Sequence, residues 1–267
     1  MALSIIKAII LAIVEGLTEF LPISSTGHLI ILNQFFSFDA QFTKLFDIFI
    51  QLGAILSVVV YFRKKLWPFK KNSTQAKSAW DIWKKAIVGV LPAIVLGLLL
   101  GNFIEDKLFN PWVVAGALLI GGVIILYIEK KKPGGVIGSV ADLSYKTAFM
   151  IGLIQCLAMI PGTSRSASTI IGALLLGATH LVAVEFSFFL AIPTMVAASG
   201  YSLLKHGLNI NFEQAMVLLV GFAVAFITAL LAVKFLLNYI QKKDFKLFGY
   251  YRLVLGAVVL LWWIWFR

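Results

Sequence analysis

One cysteine, three histidines and twelve acidic residues in 267 positions leave this chain short of the usual equipment for soluble chemistry. Cys156 alone can form no intrachain disulfide and no cysteine-based zinc site. Charged residues make up 13% of the chain, about half the share of an ordinary soluble domain. Apolar residues fill the space, at 61% against about 45–50% in soluble proteins. At ~20 residues per crossing they supply at most roughly eight membrane spans. The chain reads as an all-α polytopic membrane protein, not as a soluble enzyme with a large core.

The charge that is present is lopsided, with 23 Lys and Arg against 12 Asp and Glu. It falls in short runs between apolar segments, which is the signature of cytoplasmic loops and not of a nucleic-acid surface. No nucleic-acid partner is expected. Apolar segments suited to spans run over 46–62, 87–104, 112–128, 184–204, 214–237 and 250–266. Two others, 3–36 and 148–180, are broken midway by LPISSTGH (21–28) and IPGTSRSAS (160–168). Pro22 and the Pro161-Gly162 pair cannot continue a helix without losing backbone hydrogen bonds. Each broken stretch is therefore expected to form two half-helices that enter the membrane and turn back. The first also carries Glu15 and Glu19 and has no A-x-A site, so it is not expected to be a cleaved signal peptide.

The basic runs set an orientation. They comprise Arg63, Lys64, Lys65, Lys70, Lys71, Lys77, Lys84 and Lys85; then Lys130, Lys131, Lys132 and Lys146; then Lys242, Lys243, Lys246 and Arg252. The loops between hold Lys107 and Lys205. With the basic runs in the cytoplasm, both termini lie outside. Residues 1–130 and 146–267 each become one broken hairpin followed by three spans, an odd number, so the halves have opposite topology. At an offset of 140, Glu15 meets Gln155, Leu17 meets Leu157, Ser24 meets Ser164, Ser25 meets Arg165, and Thr26 meets Ser166. An inverted repeat of this kind places its site near the midplane, where discontinuous helices meet.

Ionisable groups in a bilayer cost at least ~2.5–3.5 kcal/mol each on insertion scales. The candidates are Glu15, Glu19, His28, Asp47, Arg165 and Glu185. Asp47 and Glu185 read as well as packing pairs as functional groups. Glu15 and Glu19, four apart, share a helix face and cannot both ionise without a counter-charge. They imply a divalent cation, a nearby Arg165 or a shared proton; the plainer reading is an acid pair facing a wet cavity. Ser24, Ser25, Thr26 and His28 offer hydroxyls beside a base, although helix caps look similar. Gly162, Thr163, Ser164, Arg165 and Ser166 combine close backbone approach, hydroxyls and a planar guanidinium fork, the parts of an oxyanion site. A lipid phosphate or diphosphate suits this set, with hydrolysis and movement both open.

At EGLTEFLPISSTGH (15–28) and PGTSRS (161–166) the sequence resembles the undecaprenyl-diphosphatase family of bacterial bacitracin-resistance enzymes. FDIFIQLGAI (46–55) and EFSFFLAIP (185–193) extend the resemblance over nearly the whole chain. The resemblance implies hydrolysis of undecaprenyl diphosphate to undecaprenyl phosphate and inorganic phosphate. That recycles the carrier lipid for peptidoglycan synthesis, with bacitracin resistance as a consequence. It also implies a bacterial plasma (inner) membrane location, a site open to the periplasmic or outer face, six transmembrane helices and two re-entrant hairpins in inverted repeats. Divalent-metal dependence is implied as well. Functional positions carry over to Glu15, Glu19, Ser25, His28, Ser164 and Arg165.

Both lines together give one expected mechanism. Arg165, Ser164, Ser166, Thr163 and Gly162, with Ser24 and Thr26, hold the diphosphate, and Glu15 and Glu19 bind Mg²⁺ or Ca²⁺. Ser25 attacks the terminal phosphorus with His28 as general acid or base. His28 or water as the nucleophile stays open, as do chain-length preference and a monomeric or homodimeric state. The alternative function is a flippase for undecaprenyl phosphate, alone or as a second activity. The unrelated acid-phosphatase-type lipid enzymes are excluded, because their arginine motif needs a His where Ile171 stands.

Overall fold

The computed structural model describes residues 1–69, 73–131, 134–206 and 210–265. Lys70, Lys71 and Lys132 of the basic runs, and the final residue of the 250–266 span, lie outside the described residues. The helices in chain order are α1 (Ala2–Thr18), α2 (Ser25–Phe36), α3 (Ala40–Tyr61), α4 (Arg63–Leu66), α5 (Ser73–Leu108) and α6 (Pro111–Lys130). They continue as α7 (Tyr145–Gln155), α8 (Arg165–Leu175), α9 (His180–His206), α10 (Phe212–Ile240) and α11 (Lys246–Trp265). Among the described residues no strand forms; a single isolated parallel bridge joins Ile137 and Ala178.

Six helices, α3, α5, α6, α9, α10 and α11, are long and apolar enough to cross a bilayer, one at each expected span. Helices satisfy every backbone group internally, which the hydrocarbon layer demands. Their outward faces expose Leu99, Ile120, Leu219 and Leu261, side chains that lipid tails solvate well. The protein is a multi-pass, all-helical membrane protein. The two broken stretches do divide where expected, into α1 and α2 around Glu19–Ser24 and into α7 and α8 around Cys156–Ser164.

The basic stretch 63–85 is not the loop that charge counting suggests. α4 opens it, and α5 already begins at Ser73, running 36 residues or about 54 Å. Ala79 and Ile82 are buried, so this extension is amphipathic, and Lys85 is buried too. Its ammonium pairs with Asp81 at 2.6 Å and donates to the carbonyls of Val140 and Ala141 at 3.1 and 2.7 Å. Lys85 is a fastener for the central linker rather than a surface charge.

Helices from the two halves interleave. α1 packs on α10 and α7 on α5; α3 packs on α10 and α5 on α9; α6 packs on α11 and α3 on α9. Both α1–α10 and α7–α5 depend on close backbone approach: a Cβ on Gly16 would overlap Thr228, and one on Gly152 would overlap the Gly89 carbonyl. Small residues at such crossings are how helices associate where water offers no hydrophobic drive. α9 has the largest buried share of the six spans. Its Phe188 meets the buried Phe20 edge-on at 5.4 Å, and its Phe189 meets Phe62 at 5.0 Å. Phe20 belongs to the first break, so this contact fixes that break against the centre of the molecule.

Candidate active site

At the first break α1 stops at Glu19, whose N–H still bonds the Glu15 carbonyl at 2.9 Å. Pro22 then denies the helix a donor, and the chain re-enters α2 through Ser24, whose Oγ accepts from the Gly27 N–H at 3.3 Å. The second break repeats the device: Pro161, then Gly162 at φ 89°, then Ser164 capping α8 by accepting from the Ala167 N–H at 3.2 Å. Ser24 at φ 71° and Ser164 at φ 72° are the non-glycine residues with positive φ among those described. Such a backbone costs on the order of 1–3 kcal/mol and persists where its surroundings over-determine it. Both helix N-termini thereby present free N–H groups and a positive dipole end, the local device for binding an oxyanion.

Two hydrogen bonds join the breaks, Ser166 to Leu21 and Arg165 to Glu19, and a third, Ser25 to Glu19, lies within the first. Ser166 Oγ donates to the Leu21 carbonyl at 2.9 Å and lies 3.0 Å from Ser164 Oγ. Ser25 Oγ donates to Glu19 Oε2 at 2.7 Å. Arg165 Nη2 donates to Glu19 Oε1 at 3.3 Å, while its Nη1 donates to the Ser187 carbonyl of α9 at 3.3 Å. One carboxylate thus accepts from the hydroxyl of one half and from the guanidinium of the other. Phe20 lies under that guanidinium, 5.8 Å from its ring centre. The Arg165 Nε is buried and makes no hydrogen bond, so the fork has donor capacity to spare.

Glu15 is fully buried; among the described residues no donor group reaches its carboxylate oxygens, and the Glu19 carboxyl lies beside them. Glu19 and Asp47 are near enough for their charges to act on it, with Arg165 also in range. Three acids against one guanidinium call for a shared proton or a further cation. Among the described residues no group of three or more His, Cys, Asp or Glu side chains is arranged to hold a metal ion. Glu15 and Glu19 would supply two ligands, and phosphate oxygens would have to complete the set. Glu185, by contrast, pairs with Lys65 at 2.7 Å and is a packing contact.

The sequence-derived residues do not all converge. Glu19, Ser25, Ser164, Arg165 and Ser166 form one connected group, with Glu15 behind it. His28 is not on Ser25: its Nδ1 is 2.8 Å from the Ser24 carbonyl and its Nε2 is 2.7 Å from the Tyr251 hydroxyl. The group on the Ser25 hydroxyl is Glu19. Thr26 and Thr163 are half-buried at their breaks. Gly162 is required, because a Cβ there would come within 2.5 Å of the Val114 carbonyl at an already unfavourable φ. Tyr251, Ser187 and Arg252 escaped sequence reasoning. Arg252, counted there as a cytoplasmic charge, is instead fully buried and donates to the Gly162 carbonyl at 3.0 Å.

Comparison with known proteins finds one family and several close relatives. Residues 8–258 match the family model described as bacitracin resistance protein BacA. The chain is 46% identical over 267 residues to an undecaprenyl-diphosphatase of Enterococcus faecalis, covering 97% of each chain. It is 49% identical over 262 residues to undecaprenyl-diphosphatase 1 of Clostridioides difficile, covering 97% of this chain and 96% of that one. It is also 49% identical over 265 residues to an undecaprenyl-diphosphatase of Lacticaseibacillus paracasei, covering 96% and 97%.

Proposed function

Because the chain belongs to the bacitracin resistance protein BacA family, we propose that it removes the terminal phosphate of undecaprenyl diphosphate. The products are undecaprenyl phosphate and inorganic phosphate. The observation that carries this reading is Glu19, which accepts from both Ser25 and Arg165. Nucleophile, proton acceptor and phosphate-binding guanidinium thus meet at one point between two helix N-termini. The relatives compared above are named as diphosphatases and none as a transporter, so the flippase reading gains no support.

In the mechanism that this geometry supports, the terminal phosphate sits at the first turns of α2 and α8, held by Arg165, Ser164 and free N–H groups. Ser25 Oγ bonds to the terminal phosphorus while its proton passes to Glu19 Oε2. The bond from that phosphorus to the bridging oxygen breaks, and undecaprenyl phosphate leaves. Water then attacks the phosphoserine and gives up a proton to solvent. Glu19 returns its proton to Ser25 Oγ, and inorganic phosphate departs. Glu15 and Glu19 are the residues assigned to a divalent ion, Mg²⁺ or Ca²⁺, on the strength of the buried Glu15 oxygens, which no donor group among the described residues reaches. When bound, such an ion neutralises phosphate charge. His28, steadied by Tyr251, is the remaining candidate for proton transfer to phosphate oxygens.

The broken pairs α1–α2 and α7–α8 act as re-entrant hairpins of two inverted repeats, 1–130 and 146–267, in the bacterial inner membrane. The termini and the site face outward. The exchange of partners between halves, α1 with α10 and α7 with α5, supports the repeat. Basic runs on one side support the orientation. Cysteines placed at Ser73 and Lys131 in intact cells should resist an impermeant thiol reagent, and one at Asp106 should react; the reverse pattern sinks the orientation. The function is tested by phosphate release from undecaprenyl diphosphate by purified protein in detergent. Glu19→Gln and Arg165→Ala should be inactive, and a wild-type chain that releases no phosphate overturns the reading.

A further inference from the structure

Arg252 lies on α11, inside the protein and beyond the reach of the reaction described above, yet it touches the phosphate-binding turn. It is fully buried. Nη2 donates to the Ala117 carbonyl of α6 at 2.9 Å and to the Gly162 carbonyl at 3.0 Å, and Nε donates to the Leu118 carbonyl at 3.4 Å. Nη1 is buried without a partner. Among the described residues no carboxylate pairs with it, so its counterparts are backbone carbonyls alone. Room for the head group comes from Gly121, where any Cβ would overlap the guanidinium.

A buried, unpaired cation is an expensive way to join two helices. α6 and α11 already meet through Val114, Ala115, Leu118 and Val259, an apolar contact that needs no charge. What apolar packing cannot do is grip the Gly162 carbonyl, which lies three residues before Arg165. The same turn also abuts α6 directly, where Gly162 meets Val114. The planar guanidinium reaches two helix carbonyls and the turn carbonyl together; a lysine ammonium lacks that fork.

We propose that Arg252 is a positioning residue. It clamps the Pro161–Ser166 turn to α6, so that Ser164 and Arg165 stay aimed at Glu19, Ser25 and the bound phosphate. Its fixed positive charge behind the turn also favours an anionic ligand in front of it. The inference rests on the diphosphatase reading, so the wild-type chain serves as the first arm. If it releases no phosphate from undecaprenyl diphosphate, that reading fails, and Arg252 is not reached.

With wild-type activity in hand, the test is a double-mutant cycle between Arg252→Gln and Ser164→Ala, with kcat and KM measured per folded molecule. A displaced turn should cost Arg252→Gln about 100-fold in kcat/KM, the order expected when binding groups shift by about 1 Å. Most of that cost should vanish when Ser164 is already Ala, because both act through the same turn. Arg252→Lys keeps the charge but not the fork, and should recover part of the rate. Val259→Ala, a packing variant at the same interface, should lower thermal stability in detergent while leaving kcat and KM near wild type. Additive effects of Arg252→Gln and Ser164→Ala overturn the proposal. So does an Arg252→Gln protein that loses only folded fraction. If Arg252→Gln does not fold, the Arg252→Lys cycle with Ser164→Ala decides on the same criteria.

Discussion

The two breaks share a backbone but not a side-chain inventory. Both replace one turn of helix by a proline, a short descent and a positive-φ serine whose hydroxyl caps the next helix. Past the cap they part: the residue after Ser24 is a serine, and the residue after Ser164 is an arginine. In the proposed mechanism the first break carries the nucleophile and its carboxylate, and the second carries the cation. Two similar caps aimed at one point can thus hold opposite halves of a reaction. Glu19 closes the site by accepting from both. Neither break is complete alone, because the first has no guanidinium and the second has no carboxylate.

This division of labour can be broken from either side, with unequal consequences. Arg165→Ala removes the cation bonded to Glu19 and should lower kcat/KM by about 10³-fold or more. Phosphate release at saturating lipid checks it, and an effect below tenfold would show that the second break is dispensable. On the first break, labelled substrate with a rapid acid quench should leave phosphoenzyme on wild type and on His28→Ala, but none on Ser25→Ala. Label that survives on Ser25→Ala and is lost on His28→Ala would transfer the nucleophile to the histidine.

The shared scaffold can be separated from the chemistry. Gly162→Ala puts a Cβ against the Val114 carbonyl at a φ unsuited to alanine, and should cost about 2–3 kcal/mol, read as thermal unfolding in detergent. Ser24→Gly and Ser164→Gly relax the positive φ while losing the cap, so each should fall within about 1 kcal/mol of wild type. Ser24→Ala and Ser164→Ala lose the cap and keep the strain, and should be the less stable of each pair. The smallest effect is expected at Tyr251→Phe. It deletes one hydrogen bond to His28 and should slow turnover by about three- to tenfold without moving the melting temperature. No change in rate would remove the Tyr251–His28 pair from the mechanism.

Much of this is legible in the sequence. Six spans follow from hydropathy, the breaks from Pro22 and Pro161-Gly162, and Glu19 and Arg165 as candidates from the cost of burying charge in lipid, while Ser25 entered as a hydroxyl beside His28. What escaped did so for physical reasons. Lys85 and Arg252 sit at the ends of apolar segments, where counting cannot separate a snorkelling surface charge from a buried fastener. The Ser187 contact is made by a backbone carbonyl, which no residue type advertises. Tyr251 is one hydroxyl in an apolar run. His28 lies one turn after Ser25, and sequence proximity suggested a pairing that the α2 backbone does not make: the ring turns to the Ser24 carbonyl and Tyr251, leaving Ser25 to Glu19.

The packing of α1 on α10 has a consequence for biogenesis. The first seventeen-residue helix leaves the ribosome while its main partner is still some two hundred codons away. Its buried Glu15 and the strained turn at Ser24 therefore spend most of synthesis without the neighbours that stabilise them. The amino-terminal half should wait in the translocon or against another helix-shielding factor, and a chain arrested before α10 should be degraded rather than stored. Long-range closure of this kind makes the final seating of α1 a late step in maturation.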